Sequence, residues 1–190
     1  MNSTLALTLT LLLISSAPES KVYEWRGSDR KGIYRESDLL KTWPADGLKE
    51  LWSVDNLGNG FASPVFTEEN FYITGEIDSM AILYCFSLKG QKQWQTTLGK
   101  EWVKSSPGSR SAPTITDKYI YTGTGLGDLY CVDRNNGKII WSKELAKEFR
   151  GELPLHGHSE APVVSGDKVF WTPGGKEYNV VALNRYTGKL

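Results

Sequence analysis

The residues best suited to chemistry lie in one short run, His156-Gly157-His158-Ser159-Glu160, which holds both histidines of the chain. In an extended segment alternate side chains share a side, so His156, His158 and Glu160 would project together. Two imidazoles starting about 6.8 Å apart at Cα can converge on one divalent metal, a zinc-type His-x-His chelate. Glu160 would start roughly 13 Å from His156, too far for a third ligand without a bulge. Two plainer readings compete: polar loop residues with the rings packed on a rim, and contacts to a small ligand. The rim reading is preferred and no metal is assigned, with His156 and His158 kept as the residues a zinc titration should test.

A second group of polar and aromatic residues stands in neighbouring loops: Glu101, Trp102, Lys104 and Arg110, then Phe149 and Arg150. Such a set can form a polar, aromatic-lined mouth for an anionic or sugar-like ligand. Solvated loop charges and loop anchors are the simpler account of the same residues. The ligand-binding candidates are therefore Trp102, Arg110, His156, His158 and Glu160. Gly123-Thr124-Gly125-Leu126-Gly127 has the glycine spacing of a phosphate loop, but it opens no helix and lacks the Lys-Ser/Thr of a nucleotide site. It reads as a turn. No Ser-His-Asp arrangement is defensible, because both histidines share one loop and no elbow motif surrounds a serine. No catalytic residue is assigned.

The elements that position these loops repeat. LYCVDRNNGKIIW (residues 129–141) reads as a strand, a tight turn with glycine at the left-handed position, and a second strand ending in Trp. LYCFSLKGQKQW (83–94) is the same phrase with a shorter turn, and VALNRYTGKL (181–190) begins it again. Trp94 to Trp141 is 47 residues and Gly137 to Gly188 is 51, while Ser63-Pro64, Ala112-Pro113 and Ala161-Pro162 recur every 49. A period of that length built only of short strands is the mark of a β-propeller blade. The predicted fold is all-β, a propeller of four-stranded blades, here partial: about three blades plus a closing outer strand.

The predicted blades span about residues 63–97, 112–143 and 161–190. Their strands fall at 64–67, 70–74, 82–87 and 92–97, then 113–116, 119–122, 129–133 and 138–143, then 162–165, 168–172 and 180–184. A fourth strand of the last blade only begins at Lys189-Leu190. Residues 48–54 (LKELWSV) read as a lone outer strand, and residues 21–47 as an arm with one helical turn at 38–43. Trp52, Trp94 and Trp141 should fill the wedges between blades, docking near Gly90, Gly137 and Gly188. Up-and-down strand order gathers the long connections, residues 98–111 and 145–160, on one face with residues 75–81, 123–128 and 173–179. Binding belongs on that face.

Composition agrees with short strands and turns: 12% aromatic, 19 Gly and 8 Pro in 190 residues. Lys+Arg and Asp+Glu are both 22, so no basic excess favours nucleic acid. Cys85 and Cys131 hold equivalent places in consecutive blades, too far apart for a disulfide and best read as buried small side chains. Residues 1–20 carry an apolar core of about ten residues, too short to span a bilayer and the length of an export signal. The chain is expected outside the cytoplasm, in a periplasm-like compartment, with no membrane span beyond that signal. An unfinished ring exposes apolar sheet, so self-association through its open edge is expected.

Cys131-Val-Asp-Arg-Asn-Asn-Gly-Lys-Ile-Ile-Trp141 and its relatives resemble the tryptophan-docking repeat of pyrroloquinoline-quinone (PQQ)-type propellers. Trp25-Arg26-Gly27-Ser28-Asp29-Arg30-Lys31-Gly32-Ile33-Tyr34, the Leu39–Pro44 run and Leu51-Trp52 are similar to the N-terminus of exported bacterial PQQ-like repeat proteins. Pro173-Gly174-Gly175-Lys176 and Val181-Ala182-Leu183-Asn184 also look like that group. The resemblance covers residues 24–190. It implies kinship with quinoprotein alcohol dehydrogenases and with the propeller lipoprotein of the outer-membrane β-barrel assembly machine. Those dehydrogenases carry an adjacent cysteine pair over the cofactor and a calcium held by Glu, Asn and Asp; this chain has no Cys-Cys and no residues that match the calcium set. The leading expectation is a non-catalytic exported scaffold, binding a protein or small ligand on the long-loop face and needing no cofactor. The alternatives are a fragment of a PQQ- and calcium-dependent alcohol dehydrogenase and a carbohydrate-binding accessory protein.

Overall fold

A computed structural model describes residues 21–27 and 29–190; the expected export signal lies outside them. Eleven strands and one short helix follow in chain order. Blade one is β1 (Val65–Phe66), β2 (Asn70–Ile77), β3 (Met80–Ser87) and β4 (Lys92–Lys100). Blade two is β5 (Thr114–Ile115), β6 (Tyr119–Gly123), β7 (Asp128–Asp133) and β8 (Ile139–Glu144), followed by α1 (Leu145–Glu148). Blade three is β9 (Val163–Ser165), β10 (Lys168–Trp171) and β11 (Val181–Asn184). All pairings are antiparallel, in the orders β1-β2-β3-β4, β5-β6-β7-β8 and β11-β10-β9. Each sheet is an up-and-down meander, so the chain forms three consecutive propeller blades.

The turn between third and fourth strands is built by local hydrogen bonds that its residue types dictate. In blade two the Asp133 carboxylate accepts the N–H groups of Asn135 and Asn136, at 2.9 and 3.3 Å. In blade three Asn184 Oδ1 does the same for Tyr186 and Thr187, both at 3.1 Å. Each turn then needs a residue with positive φ, and Gly137 and Gly188 supply it at 75° and 67°.

Those glycines also receive indoles. A Cβ built on Gly137 would fall 2.7 Å from Cε3 of Trp94, and one on Gly188 would fall 3.0 Å from Cδ2 and Cε3 of Trp141. Gly90 meets Trp52 in the same way, at 2.9 Å. Each fourth-strand Trp therefore lies over the turn of the following blade, and Thr96 Oγ1 adds a 2.6 Å bond to the Gly137 carbonyl. Trp141 Nε1 and the Tyr121 hydroxyl both donate to the Arg185 carbonyl, at 3.0 and 3.1 Å, tying blade two to blade three.

Blade-on-blade burial makes the core. One apolar cluster joins Val65, Tyr72, Leu83 and Cys85 of blade one to Ile115, Ile120 and Val132 of blade two. A second joins Tyr121, Leu129 and Cys131 to Val164, Val169, Trp171, Val181 and Leu183 of blade three. A third lies on the outer side of blade one, where Phe71, Ile82, Tyr84 and Phe86 are covered by Val54 and Leu57. Strands apolar on both faces are what stacked sheets require, and each large side chain so buried contributes about 1.5–3 kcal/mol. Cys85 and Cys131 are free and buried. Desolvation pushes their thiols up to about 11 and about 12.

Several local expectations change. Residues 48–54 join no ladder, although Trp52 reaches its docking place and stacks on Phe71 at 5.4 Å. A strand needs a sheet beside it, and the described residues offer none at that position. Residues 38–43 form no helical turn; Asp38 takes φ 57°, which breaks one. The expected connection at residues 75–81 is mostly strand: β2 runs to Ile77, and Asp78-Ser79 make a two-residue hairpin turn with φ of 50° and 67°. The long loop after β8 opens with α1, seated by fully buried Leu145. No helix among the described residues is long and apolar enough to cross a membrane.

A methyl group at Gly137 must enter the indole's space and sit at positive φ. Gly137→Ala is expected to lower unfolding stability by about 1–3 kcal/mol in urea titration, with Gly166→Ala, whose Cβ meets nothing within 4 Å, losing clearly less.

Candidate functional site

The inner strands β1, β5 and β9 all begin on the long-loop face, and the segments just before them line a cavity of about 760 Å³. Phe61 and Ser63 come from blade one, Arg110 and Ala112 from blade two, and Ser159 to Val163 from blade three. The fourth wall is the N-terminal arm, with Glu24, Trp25, Arg26 and Arg30.

The arm is fixed by backbone pairing. Tyr23 bridges Ile115 of β5 with two hydrogen bonds, N–H to carbonyl in each direction, at 2.8 and 2.9 Å. Lys21 and the Tyr23 hydroxyl both donate to Glu68, beyond the first strand of blade one. Arg30 donates to the Val164 carbonyl of blade three while gripping Glu24 with Nε and Nη2, at 2.9–3.1 Å. One segment outside the repeat thus touches each of the three described blades. Nothing in the repeat pattern signals this. The clue available in the sequence is the density of Trp, Arg and Glu in a stretch that repeats nothing.

Arg110 sits at the cavity wall with its guanidinium 5.0 Å from the Phe61 ring centroid. It also donates to the carbonyls of Gly108 at 2.6 Å, Ser105 at 3.1 Å and Ser106, so it shapes the 105–108 turn as well as charging the wall. Glu160 lines the same cavity, one carboxylate oxygen accepting the Thr172 N–H at 2.7 Å; burial raises its pKa. Arg26 lies 4.5 Å from the Trp25 ring. With Arg30 neutralised by Glu24, the lining carries Arg26 and Arg110 against Glu160.

The other candidates lie elsewhere. Trp102 is buried, its indole N–H donating to the backbone and hydroxyl oxygens of Ser105 at 3.1 and 3.2 Å. His158 is also buried, its backbone N–H bonded to the Gly125 carbonyl at 2.9 Å and its ring 6.1 Å from that of Trp171. His156 is exposed, with Nδ1 3.3 Å from the Ser105 hydroxyl. Gly157, at φ 76°, turns the chain between the two histidines, so they face different surroundings and do not converge. Strand-like alternation was the premise of a shared face, and this segment is a turn.

The 123–127 glycine loop does bind an anion, but one belonging to the chain. Glu101 is buried and its carboxylate accepts the N–H groups of Gly125 and Trp102 and the Ser109 hydroxyl, at 2.5, 2.7 and 2.8 Å. Burial outweighs these bonds and raises its pKa. Among the described residues no group of three or more His, Cys, Asp or Glu could hold a metal ion. Both oxygens of Glu101 are occupied, and the two cysteines stand in separate blades, so these residues do not fit a PQQ–calcium site.

Asp128 opens β7 beside this network, and burial first, then Glu144 and Glu101, push its carboxyl up to about 6. A raised carboxyl favours its protonated form in the fold, so folding stability should rise as pH falls from about 7 towards 4. Burial lowers the pKa of His158, which works oppositely: its contribution is lost as pH falls below about 6.5. Asp128→Asn is expected to raise stability at pH 7.5 by about 1 kcal/mol and to flatten the gain between pH 7.5 and 5 in urea titrations. For the histidines, zinc titration should give the same weak binding in the native chain and in His156→Ala; a clear loss in the variant would restore the chelate.

Comparison with known proteins agrees with this architecture. The family model described as outer membrane protein assembly factor BamB matches residues 79–190. The quinoprotein ethanol dehydrogenase of Pseudomonas aeruginosa is 30% identical over 99 residues, 51% of this chain and 15% of that enzyme. Among solved structures, BamB from Moraxella catarrhalis superposes with a TM-score of 0.52 at 20% identity, covering 73% of this chain and 40% of that one. A europium-containing methanol dehydrogenase gives 0.51 at 20% identity, covering 69% and 24%. The chain thus spans less than half the length of each of these proteins. With a match running from the β2–β3 turn to residue 190 on blades of the same build, the chain belongs to the PQQ-repeat propeller family of the outer membrane protein assembly factor BamB.

Proposed function

We propose that this chain is a non-catalytic scaffold of an exported propeller, which holds a protein segment or small ligand in the mouth between its arm and its inner strands. The observation that carries this reading is the cavity of about 760 Å³ walled by all three blades and the arm. Its aromatic walls, Trp25 and Phe61, offer apolar area, and Arg26 and Arg110 favour an anionic group such as a carboxylate. The family description, an outer membrane assembly factor, supports a protein partner and an extracytoplasmic location.

A photo-crosslinking residue at Phe61, which is 63% exposed, should give a discrete protein adduct in cell-envelope extracts. Arg110→Glu should reduce that adduct at least about tenfold, since reversing one charge in a partly buried pair is worth about 1.4 kcal/mol or more. An adduct indifferent to Arg110 would contradict the reading.

The match to a quinoprotein ethanol dehydrogenase favours one competing account, a piece of a PQQ enzyme. The full chain supplied with PQQ and calcium should leave dye-linked alcohol oxidation at background. Sustained turnover would replace the scaffold reading.

A further inference from the structure

A second cleft lies on the face opposite the long loops, and both of its walls are complete four-stranded blades. Its volume is about 410 Å³, within the range of about 300–1,000 Å³ usual for small-molecule sites. Blade one contributes Glu69 and Asn70 from the β1–β2 turn and Trp94 from β4. Blade two contributes Asp117 from the turn after β5 and Arg134 from the turn after β7. Tyr23 of the arm stands at the inner end, where it bridges β5. None of these residues lines the mouth on the other face.

The next junction shows what this one lacks. Between blades two and three, Trp141 Nε1 and the Tyr121 hydroxyl converge on the Arg185 carbonyl. Trp94, Tyr72 and Arg134 are their counterparts between blades one and two, yet the Arg134 carbonyl receives neither group. Instead the Arg134 side chain reaches back across the junction. Its Nε donates to the Tyr72 hydroxyl at 3.2 Å and its Nη1 to the Thr116 carbonyl at 3.4 Å, with the guanidinium 5.8 Å from the Tyr23 ring centroid. These contacts fix the group and leave at least three of its five N–H donors for another partner. Among the described residues, Trp94 Nε1, the Glu69 and Asp117 carboxylates and the Asn70 and Asn135 amides make no side-chain hydrogen bond, and all line the cleft.

The charges select the ligand. Glu68 already receives Lys21 and the Tyr23 hydroxyl, so the charges left to bind are Glu69, Asp117 and Arg134. An anion would meet two carboxylates, and a cation would meet the guanidinium. A neutral molecule with several hydroxyls meets neither obstacle, because each hydroxyl donates one hydrogen bond and accepts two. The carboxylates accept from such hydroxyls, Arg134 and Trp94 Nε1 donate to them, and the Asn70 and Asn135 amides do either. The indole adds apolar area for the C–H side of a ring. We propose that the cleft between blades one and two is a sugar site, which binds a neutral saccharide through its hydroxyls.

Saturation-transfer NMR on the full-length chain should detect binding of at least one of glucose, galactose, mannose and N-acetylglucosamine, with glucuronate and free glycine weaker. Asp117→Ala and Glu69→Ala should each weaken that binding about tenfold, the loss of a hydrogen bond to a charged group. Both are exposed turn residues, so the thermal transition should persist. Lys147→Ala, on the exposed side of α1, should bind as the native chain does. Maltoheptaose and chitotetraose, compared with their monomers, identify the source: a tighter chain means a polysaccharide end and a tighter monomer a free sugar, and either supports the site. The proposal is overturned if no neutral sugar binds, if glucuronate or glycine binds more tightly, or if both alanine variants bind like the native chain.

Discussion

The contact on which the structure depends is an indole laid over a glycine. Trp52, ahead of blade one, and Trp94 and Trp141, in the fourth strands of blades one and two, each cover the turn of the blade that follows, and those turns can receive them only because Gly90, Gly137 and Gly188 have no side chain. The same glycine provides the positive φ that closes the turn. One residue therefore satisfies two demands, a backbone demand within its own blade and a packing demand from its neighbour. Blade folding and blade stacking are coupled through that position.

This coupling explains why so much of the fold was legible in the sequence. The Gly-to-Trp phrase, the Ala-Pro marker and the apolar runs all belong to the repeat, and the period shows itself wherever both demands recur. Residues 48–54 read as an outer strand because their Trp obeys the packing demand; among the described residues their backbone has no ladder partner. The turn at Asp78-Ser79 was misplaced because blade one closes with a two-residue hairpin, where blade two uses the glycine loop of residues 124–127.

The site was far less legible. Arg110 and Glu160 were singled out from the long loops, and they do share the cavity wall. Trp102 and His158 came from the same loops, but their side chains turn inward and hold those loops together. Polar and aromatic residues near a binding face can anchor it or line it, and sequence spacing does not distinguish the two. The arm was hidden for a different reason. Its contribution depends on the Tyr23–Ile115 bridge, a non-local pairing of single residues that leaves no periodic trace.

That bridge gives the arm a mechanical part. Because it is bound to the inner margins of three sheets at once, it acts as a strut across the concave side of the arc. The wedge angle between sheets is then restrained from the hub as well as from the rim, where the indoles sit. Loosening the strut would let the sheets splay and widen the aperture without breaking a single ladder. The width of the mouth between the described blades is thus set in part by a segment that belongs to no blade.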